Sequence, residues 1–346
     1  MNKRLLPATA AALASATLLT ALTIAGGAGA ASFSTRSTRH EGAAIPTGTV
    51  LRVGEQLKNL STVLALGHQD QNLPYEVQYS EFVGGPPMLQ AFEGGSLDVG
   101  FIQSTPLIFA QAAGQHVAAV AGWASSGSAY ALVSAPGEHA IKSWAGLRGK
   151  RVAFQEGTAL ESALLEGLHS AGLSLQDITP VNLPTTQLAA ALQGGSADAA
   201  IEVEPLLSAY LQSNPTARVI ARPAAVTEKS EFIVATSSAL ANKAVSAALA
   251  DYITRLIKAY QYLALHPQGV IQTIYEGEYG LKPARAAAVA SLVGASRFFG
   301  LPGALLAPQQ NLANLYYAAG SIPARISVTQ EFDPRFNSVV AAEQAS

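Results

Sequence analysis

From Thr49 onward, short apolar runs alternate with longer stretches whose apolar residues recur three and four positions apart. Apolar or alternating runs at 49–55, 75–82, 97–102, 116–123 and 130–134 predict strands, with helices between them at 57–66, 86–93 and 104–113. The alternation continues after a short helix and turn at 141–149. Strands are expected at 151–154, 178–183, 198–202, 218–222 and 231–235, and helices at 158–171, 187–192 and 205–212. Thr158 is placed as the N-cap of one of these helices, and Gly172 lies just beyond its end. Beyond Thr236 the spacing stays near 3.6, which predicts helices at 244–265, 267–279, 283–299 and 308–320. Strands that alternate with helices imply α/β lobes with parallel sheets and crossover helices.

One short string recurs. Gly94-Gly95-Ser96-Leu97-Asp98-Val99 returns one hundred residues later as Gly194-Gly195-Ser196-Ala197-Asp198-Ala199. Each copy follows a short amphipathic run, leads into an apolar strand, and is trailed at nearly the same distance by Pro106 or Pro205. A solenoid unit spans roughly 20–50 residues, so this longer period suits two similar lobes instead. The lobes are expected at 48–135 and 136–235, with 236–346 returning to the first. Crossings near Pro136 and Thr236 then form a hinge, and ligands in such sheets bind beyond the carboxyl ends of the strands.

The segment 1–30 reads as an export signal: Lys3 and Arg4, an apolar stretch, then Ala28-Gly29-Ala30. An uncleaved membrane anchor is the competing reading of that stretch. Segment 31–47 is polar and aperiodic, a flexible leader. Removing Lys3 and Arg4 takes Lys plus Arg from 21 to 19 against 23 Asp plus Glu, a formal charge of −4. No basic patch appears, which argues against nucleic acid. The chain has no cysteine, so disulfides, a thiolate nucleophile, Cys-ligated metal and a lipid-modified cysteine are all excluded.

Catalytic patterns are missing as well. His40, His68, His116, His139, His169 and His266 are scattered without metal-ligand spacing, and no nucleophile elbow, zincin, Walker A or Rossmann string occurs. Neither cofactor nor metal is expected. What remains are helix starts at strand ends, where backbone N–H groups and the helix dipole favour anions. Five such loops fall at 84–87, 103–106, 156–158, 185–186 and 202–205. They nominate Gly85, Pro86, Gln103, Ser104, Thr105, Glu156, Gly157, Thr158, Thr185 and Glu204 as ligand contacts. Helix capping alone is the bland alternative for each.

Three strings carry a family resemblance: Glu81-Phe82-Val83-Gly84-Gly85-Pro86-Pro87-Met88-Leu89, Gly94-Gly95-Ser96-Leu97-Asp98-Val99-Gly100, and Thr105-Pro106 followed by Ala110-Gln111-Ala112-Ala113-Gly114. Together with Leu147-Arg148-Gly149-Lys150-Arg151-Val152-Ala153 and Gly320-Ser321-Ile322-Pro323, they resemble the periplasmic component of aliphatic sulfonate ABC transporters. Taurine- and nitrate-binding proteins belong to the wider group. The resemblance runs in order over about 48–335. It implies a two-lobed type II periplasmic-binding-protein fold whose C-terminal helices pack on the first lobe. It also implies closure on a small sulfonate-type solute that is delivered to an ABC permease with its ATPase, and two lobes without a catalytic pattern suit a monomeric receptor. Such a protein is exported to the periplasm or cell surface.

The chain departs from the family pattern at Gly54-Glu55-Gln56, where an aromatic is usual at the middle position, and at Val203-Glu204-Pro205, where Trp-Asp-Pro is usual. Glu55, Gln56 and Glu231 therefore join the candidate contacts, and Glu161 and Glu202 also fall near cleft loops. Carboxylates lining the cleft favour a ligand with a cationic group, because an unpaired buried carboxylate beside an anion is costly. Two alternatives stay open: an enzyme of the thiamine-pyrimidine synthase branch, which uses a Cys-rich motif, and a sensor module without a transporter.

Overall fold

The computed structural model describes residues 44–125, 129–223 and 230–345. The expected export signal and most of the leader lie outside the described residues. The first lobe begins with β1 (Val50–Gln56), α1 (Asn59–Leu66), β2 (Glu76–Phe82), α2 (Gly85–Glu93), β3 (Val99–Gln103), α3 (Ser104–Ala112) and β4 (Val117–Ser125). The second holds β5 (Tyr130–Ser134), β6 (Arg151–Phe154), α4 (Ala159–Ser170), β7 (Thr179–Asn182), α5 (Leu188–Gln193), β8 (Ala199–Val203), α6 (Leu206–Ser213) and β9 (Val219–Ala221). The chain then returns through β10 (Ser230–Thr236), α7 (Ser237–Ala241) and α8 (Lys243–Leu265). Next come α9 (Gln268–Val270), a π-helical stretch Ile271–Glu278, α10 (Pro283–Val293), β11 (Ser296–Phe299), α11 (Leu306–Ala319) and α12 (Asn337–Gln344).

Among the described residues, strand order is β11-β4-β10-β3-β1-β2 in a six-stranded sheet and β7-β6-β8-β5-β9 in a five-stranded one. Two strands sit in the opposite lobe from the one expected. Tyr130–Ser134 pairs with β8 and β9 in the second sheet, and Ser230–Thr236 pairs with β3 and β4 in the first. The crossings therefore fall between Ser125 and Tyr130 and between Ala221 and Ser230, not near Pro136 and Thr236. Both sheets are consequently mixed. A strand entered from the neighbouring lobe starts at the cleft, where the parallel strands end, so β5 runs antiparallel to β8 and β10 antiparallel to β3.

The repeated string closes equivalent turns in the two lobes. Arg52 on β1 donates from its backbone N–H to Asp98 Oδ2 (2.9 Å), from Nη2 to Asp98 Oδ1 (2.6 Å) and from Nη1 to Gly95 O (2.7 Å). Arg151 on β6 repeats the set with Asp198 Oδ2 (2.8 Å), Asp198 Oδ1 (2.6 Å) and Gly195 O (2.7 Å). A bidentate guanidinium–carboxylate pair fixes both direction and plane, so each clamp sets the register of its first strand against the strand after the turn.

The C-terminal helices return to the first lobe. α8 lays Leu249, Tyr252, Ile253, Leu256 and Ile257 on the sheet beside Leu51, Val53 and Trp123, and α12 adds Val340. Full burial of such side chains stabilises by roughly 1.5–3 kcal/mol each. Between α8 and β11, however, the chain makes an excursion to the second lobe. Gln212 at the end of α6 donates to Gly280 O (2.9 Å) and accepts from Lys282 N–H (2.9 Å). Ile271, Leu281, Ala286 and Val289 form a small core against Ala209 of α6. The helix expected over 283–299 stops at Val293, since Gly294 takes a positive φ of 70° and Ser296–Phe299 pairs with β4. The excursion 268–293 is a strap across the two lobes.

Candidate functional site

A cavity of about 730 Å³ lies where the carboxyl ends of the parallel strands of both sheets face each other. The first lobe lines it from the ends of β1 and β3 with Gln56 and Gln103, and from the loop after β2 with Gly84. The second lobe contributes Thr158, Thr185 and Glu204, each just past the end of a strand. The strap forms a third wall, mostly apolar and aromatic, with Ile271, Ile274 and Tyr275. Pockets of this size and mixed lining accept a small organic ligand with a few polar anchors.

The chain enters α1 at this wall through two consecutive left-handed residues, Leu57 (φ 51°) and Lys58 (φ 53°). Non-glycine residues adopt that region at a cost, and such strain concentrates at functional sites. The turn brings Lys58 and Asn59 onto the cavity wall. It persists because Glu55, itself buried, accepts from the Ser61 N–H (2.9 Å) and Oγ (2.8 Å) and so ties the strand end to the first turn of α1.

The lobes also meet directly, at the starts of α2 and α4. A Cβ at Gly157 would come within 3.2 Å of the Pro86 ring, and one at Gly84 within 3.0 Å of the Gln155 amide. Gly84 has φ +88°, so glycine is needed there for conformation as well as for space. Gln155 holds the second lobe's rim in order: its Oε1 accepts from Thr185 N–H (2.9 Å) and Thr185 Oγ1 (2.6 Å). Glu161 spans the contact. It accepts from Gly157 N–H (2.8 Å) and from Ser321 Oγ (2.8 Å) in the C-terminal segment. Burial pushes its carboxyl pKa up, against the pull of those two donors.

Of the residues nominated from sequence, Gln56, Gln103, Thr158, Thr185, Glu204 and Glu231 are on the cavity wall. The others are held elsewhere among the described residues. Glu55 caps α1 as above. Gly85 and Pro86 start α2 against Pro106 and Gly157. Ser104 is buried with its carbonyl accepting from Gln309 Nε2 (3.1 Å), and the Thr105 hydroxyl bonds that of Tyr316 (2.8 Å). Glu156 pairs with the Asn182 side chain (2.9 Å). The Gly157 amide is already taken by Glu161, and the Thr158 hydroxyl donates to Gln155 O (2.7 Å) while capping Leu160 N–H (3.2 Å). Capping chemistry thus accounts for several hydroxyls and amides that could equally have met a ligand.

Of the three acids on the cavity wall, Glu204, Glu231 and Glu278, the first two differ in their pairing. Glu204 has only 3% of its side chain exposed, accepts from Ser208 N–H (3.1 Å) and stands 3.9 Å from Arg222. Burial raises its pKa, opposed by Ser208, Arg222 and Arg285. Glu231, at the start of β10, is raised by burial to about 7, with the Trp123 indole pulling the other way. Lys58, Asn59, Tyr260, Tyr275 and the whole strap escaped sequence reasoning. A lysine immediately after a strand end was a usable signal for Lys58; nothing in the helical spacing of 267–293 marked it as a wall of the site.

The family model described as NMT1/THI5 like matches residues 76–270. The chain is 38% identical over 164 residues to a protein of Escherichia coli (strain K12) named for binding aliphatic sulfonates, covering 46% of this chain and 51% of that protein. A Bacillus subtilis (strain 168) protein of the same name is 27% identical over 133 residues, covering 38% and 40%. The chain therefore spans about half the length or less of these curated relatives. Among solved structures, the alkanesulfonate-binding protein SsuA from Xanthomonas axonopodis pv. citri bound to MOPS superposes with a TM-score of 0.75 at 30% identity, covering 84% of this chain and 99% of that one. The periplasmic aliphatic sulphonate binding protein SsuA from Escherichia coli gives 0.69 at 28%, covering 83% and 93%.

Proposed function

The chain belongs to the NMT1/THI5-like family, and from that premise we propose that it is an exported, monomeric solute-binding protein that captures a sulfonate for an ABC permease and its ATPase. One observation carries the reading: a cavity of about 730 Å³ with polar anchors from the strand ends of both lobes. A ligand bridging those anchors stabilises a closed arrangement of the lobes by its differential affinity for it. The relatives' names supply the ligand class, since both the Escherichia coli and Xanthomonas proteins are named for sulfonates. We assign the sulfonate to the part of the wall lined by Lys58 and Asn59, where an ammonium and a side-chain amide can donate to it. The enzyme branch is not favoured: the chain has no cysteine to build a Cys-rich motif, and the sulfonate relatives are binding proteins.

Isothermal titration with a panel of alkanesulfonates, aminosulfonates, nitrate and alkylcarboxylates tests this. A sulfonate is expected to bind with one site per chain, and Lys58→Ala to weaken it roughly ten- to a hundredfold, the loss of a charged hydrogen bond. Binding of carboxylates or nitrate with no sulfonate bound would refute the ligand class. Small-angle scattering that shows no compaction at saturation would refute closure.

A further inference from the structure

Glu231 lines the cavity from β10 of the first lobe's sheet, separated by β3 from the β1 end that leads into Lys58. It is paired in register with Gln103 on β3 and Trp123 on β4. Tyr260 on α8 and Tyr275 on the strap line the same cavity and feel its charge. Beside it on β4, Trp123 is fully buried, stacked with Phe101 (5.4 Å between centroids) and Phe298 (5.2 Å). The Trp123 indole N–H has no hydrogen-bond acceptor among the described residues, and its proximity favours the carboxylate form of Glu231. The charge count of the wall points the same way. Among the described residues that line the cavity, Lys58 stands against Glu204, Glu231 and Glu278, and Glu204 already has Arg222 beside it. A plain anion entering this chamber would leave the half-buried Glu231 without a counter-charge from the described residues of the wall, which is costly.

We propose that Glu231, with the rings of Tyr260 and Tyr275, is a subsite for a cationic nitrogen, so that the ligand is an aminosulfonate zwitterion rather than a plain alkanesulfonate. This rests on the sulfonate reading above and adds the second end of the ligand. Carboxylate and aromatic faces together suit an ammonium, above all an alkylated one whose charge is spread over methyl groups. The sulfonate then lies toward Lys58 and the nitrogen toward Glu231.

The groups that share this chamber with Glu231 are Trp123 and Gln103 on neighbouring strands, Tyr260 on α8, Tyr275, Glu278 and Tyr279 of the segment after it, and Glu204 and Lys58. Both tyrosines are pushed upward, by burial first and then by neighbouring charges, so neither titrates near neutrality. With Glu231 at about 7 in the empty site, pairing to a fixed cation requires the carboxylate form and expels a proton. Affinity for such a ligand therefore rises with pH, up to about tenfold per unit below that value, and levels above it. A plain anion reverses the slope, because it prefers the neutral acid.

Isosteric pairs separate the charge from the shape. Titrations compare taurine with 1-propanesulfonate, and 3-(trimethylammonio)propane-1-sulfonate with 4,4-dimethylpentane-1-sulfonate, from pH 6 to 8.5. The zwitterion of at least one pair is expected to bind tenfold or more tighter than its uncharged-tail partner, with affinity rising with pH. Glu231→Gln is expected to bring that pair within about threefold and to flatten the profile. If the alkanesulfonate binds as tightly as its zwitterion in both pairs, or affinity falls with pH, the inference is overturned while the sulfonate reading stands. If no sulfonate of either kind binds, both are overturned. The wild-type comparison decides the matter even if Glu231→Gln fails to fold.

Discussion

The two Arg–Asp clamps allow a test that separates architecture from binding. Asp98 accepts three bonds from Arg52, at 2.9 Å from the backbone N–H, 3.0 Å from Nε and 2.6 Å from Nη2. Its side chain is 10% exposed and that of Arg52 42%. Breaking a fully buried ion pair costs about 3–5 kcal/mol, but the half-exposed guanidinium can turn to water and keep Gly95 O as a partner. Asp98→Ala is therefore expected to cost about 2 kcal/mol. Asp198→Ala makes the same cut at a more exposed pair, with side-chain exposures of 23% and 45%, and should cost less. Both clamps sit at the amino ends of β3 and β8, with the cavity at the carboxyl ends. Ligand affinity should not change. The two tryptophans report the lobes separately, Trp123 from the first sheet's core and Trp144 from its contact with Gly167 on α4. Urea unfolding followed by fluorescence in Trp123→Phe and Trp144→Phe backgrounds should show Asp98→Ala loosening the first lobe and Asp198→Ala the second. Weakened ligand binding with an unchanged unfolding midpoint would refute the reasoning, and so would a larger loss from Asp198→Ala than from Asp98→Ala.

Glu202 is buried with both carboxylate oxygens unbonded among the described residues, and burial lifts its pKa to about 8. Between its ordinary value and 8 the native state holds a proton that the unfolded chain releases, so stability falls as pH rises through that window, by up to about 1.4 kcal/mol per unit; Glu202→Gln should reduce that slope in urea titrations from pH 5 to 9, and an unchanged slope would show the acid to be ionised. Gln212→Ala removes both bonds that tie the strap to α6. Stopped-flow release of bound ligand should speed up by roughly two- to tenfold with little change in the association rate; an unchanged release rate would mean the strap does not hold the cavity shut.

Much of the architecture was legible because it rests on local rules. The Gly-Gly-Ser-x-Asp string reads as a turn, and its repetition reads as two lobes. Its partners Arg52 and Arg151 lie 46 and 47 residues upstream of the aspartates, too far for local spacing to reveal. Lobe membership of Tyr130–Ser134 and Ser230–Thr236 was misread because an apolar run shows burial but not which sheet supplies its neighbours. Ser296–Phe299 was absorbed into a helix because four apolar or polar residues fit either period; only pairing with β4 decides it. At the site, Thr158 lines the cavity while its hydroxyl caps α4, and the Thr105 hydroxyl bonds Tyr316. A hydroxyl near a helix start can cap, bond a core tyrosine or meet a ligand, and residue type alone does not choose among these.

The duplication also explains where specificity can reside. At the amino ends of the strands the lobes are nearly superimposable in chemistry, each with an arginine, an aspartate and a glycine carbonyl in the same hydrogen-bond pattern. At the carboxyl ends they diverge. The first lobe offers Gln56, Lys58 and Glu231, and the second Thr158, Thr185 and Glu204. The strap follows α8 on the return to the first lobe, and it closes the cavity with residues that neither copy of the repeat encodes. Stability elements and ligand-facing elements thus occupy opposite ends of the same strands. Substitutions at Ile274, Tyr275 or Glu231 can alter what the cavity accepts without disturbing the clamps that hold each lobe in register.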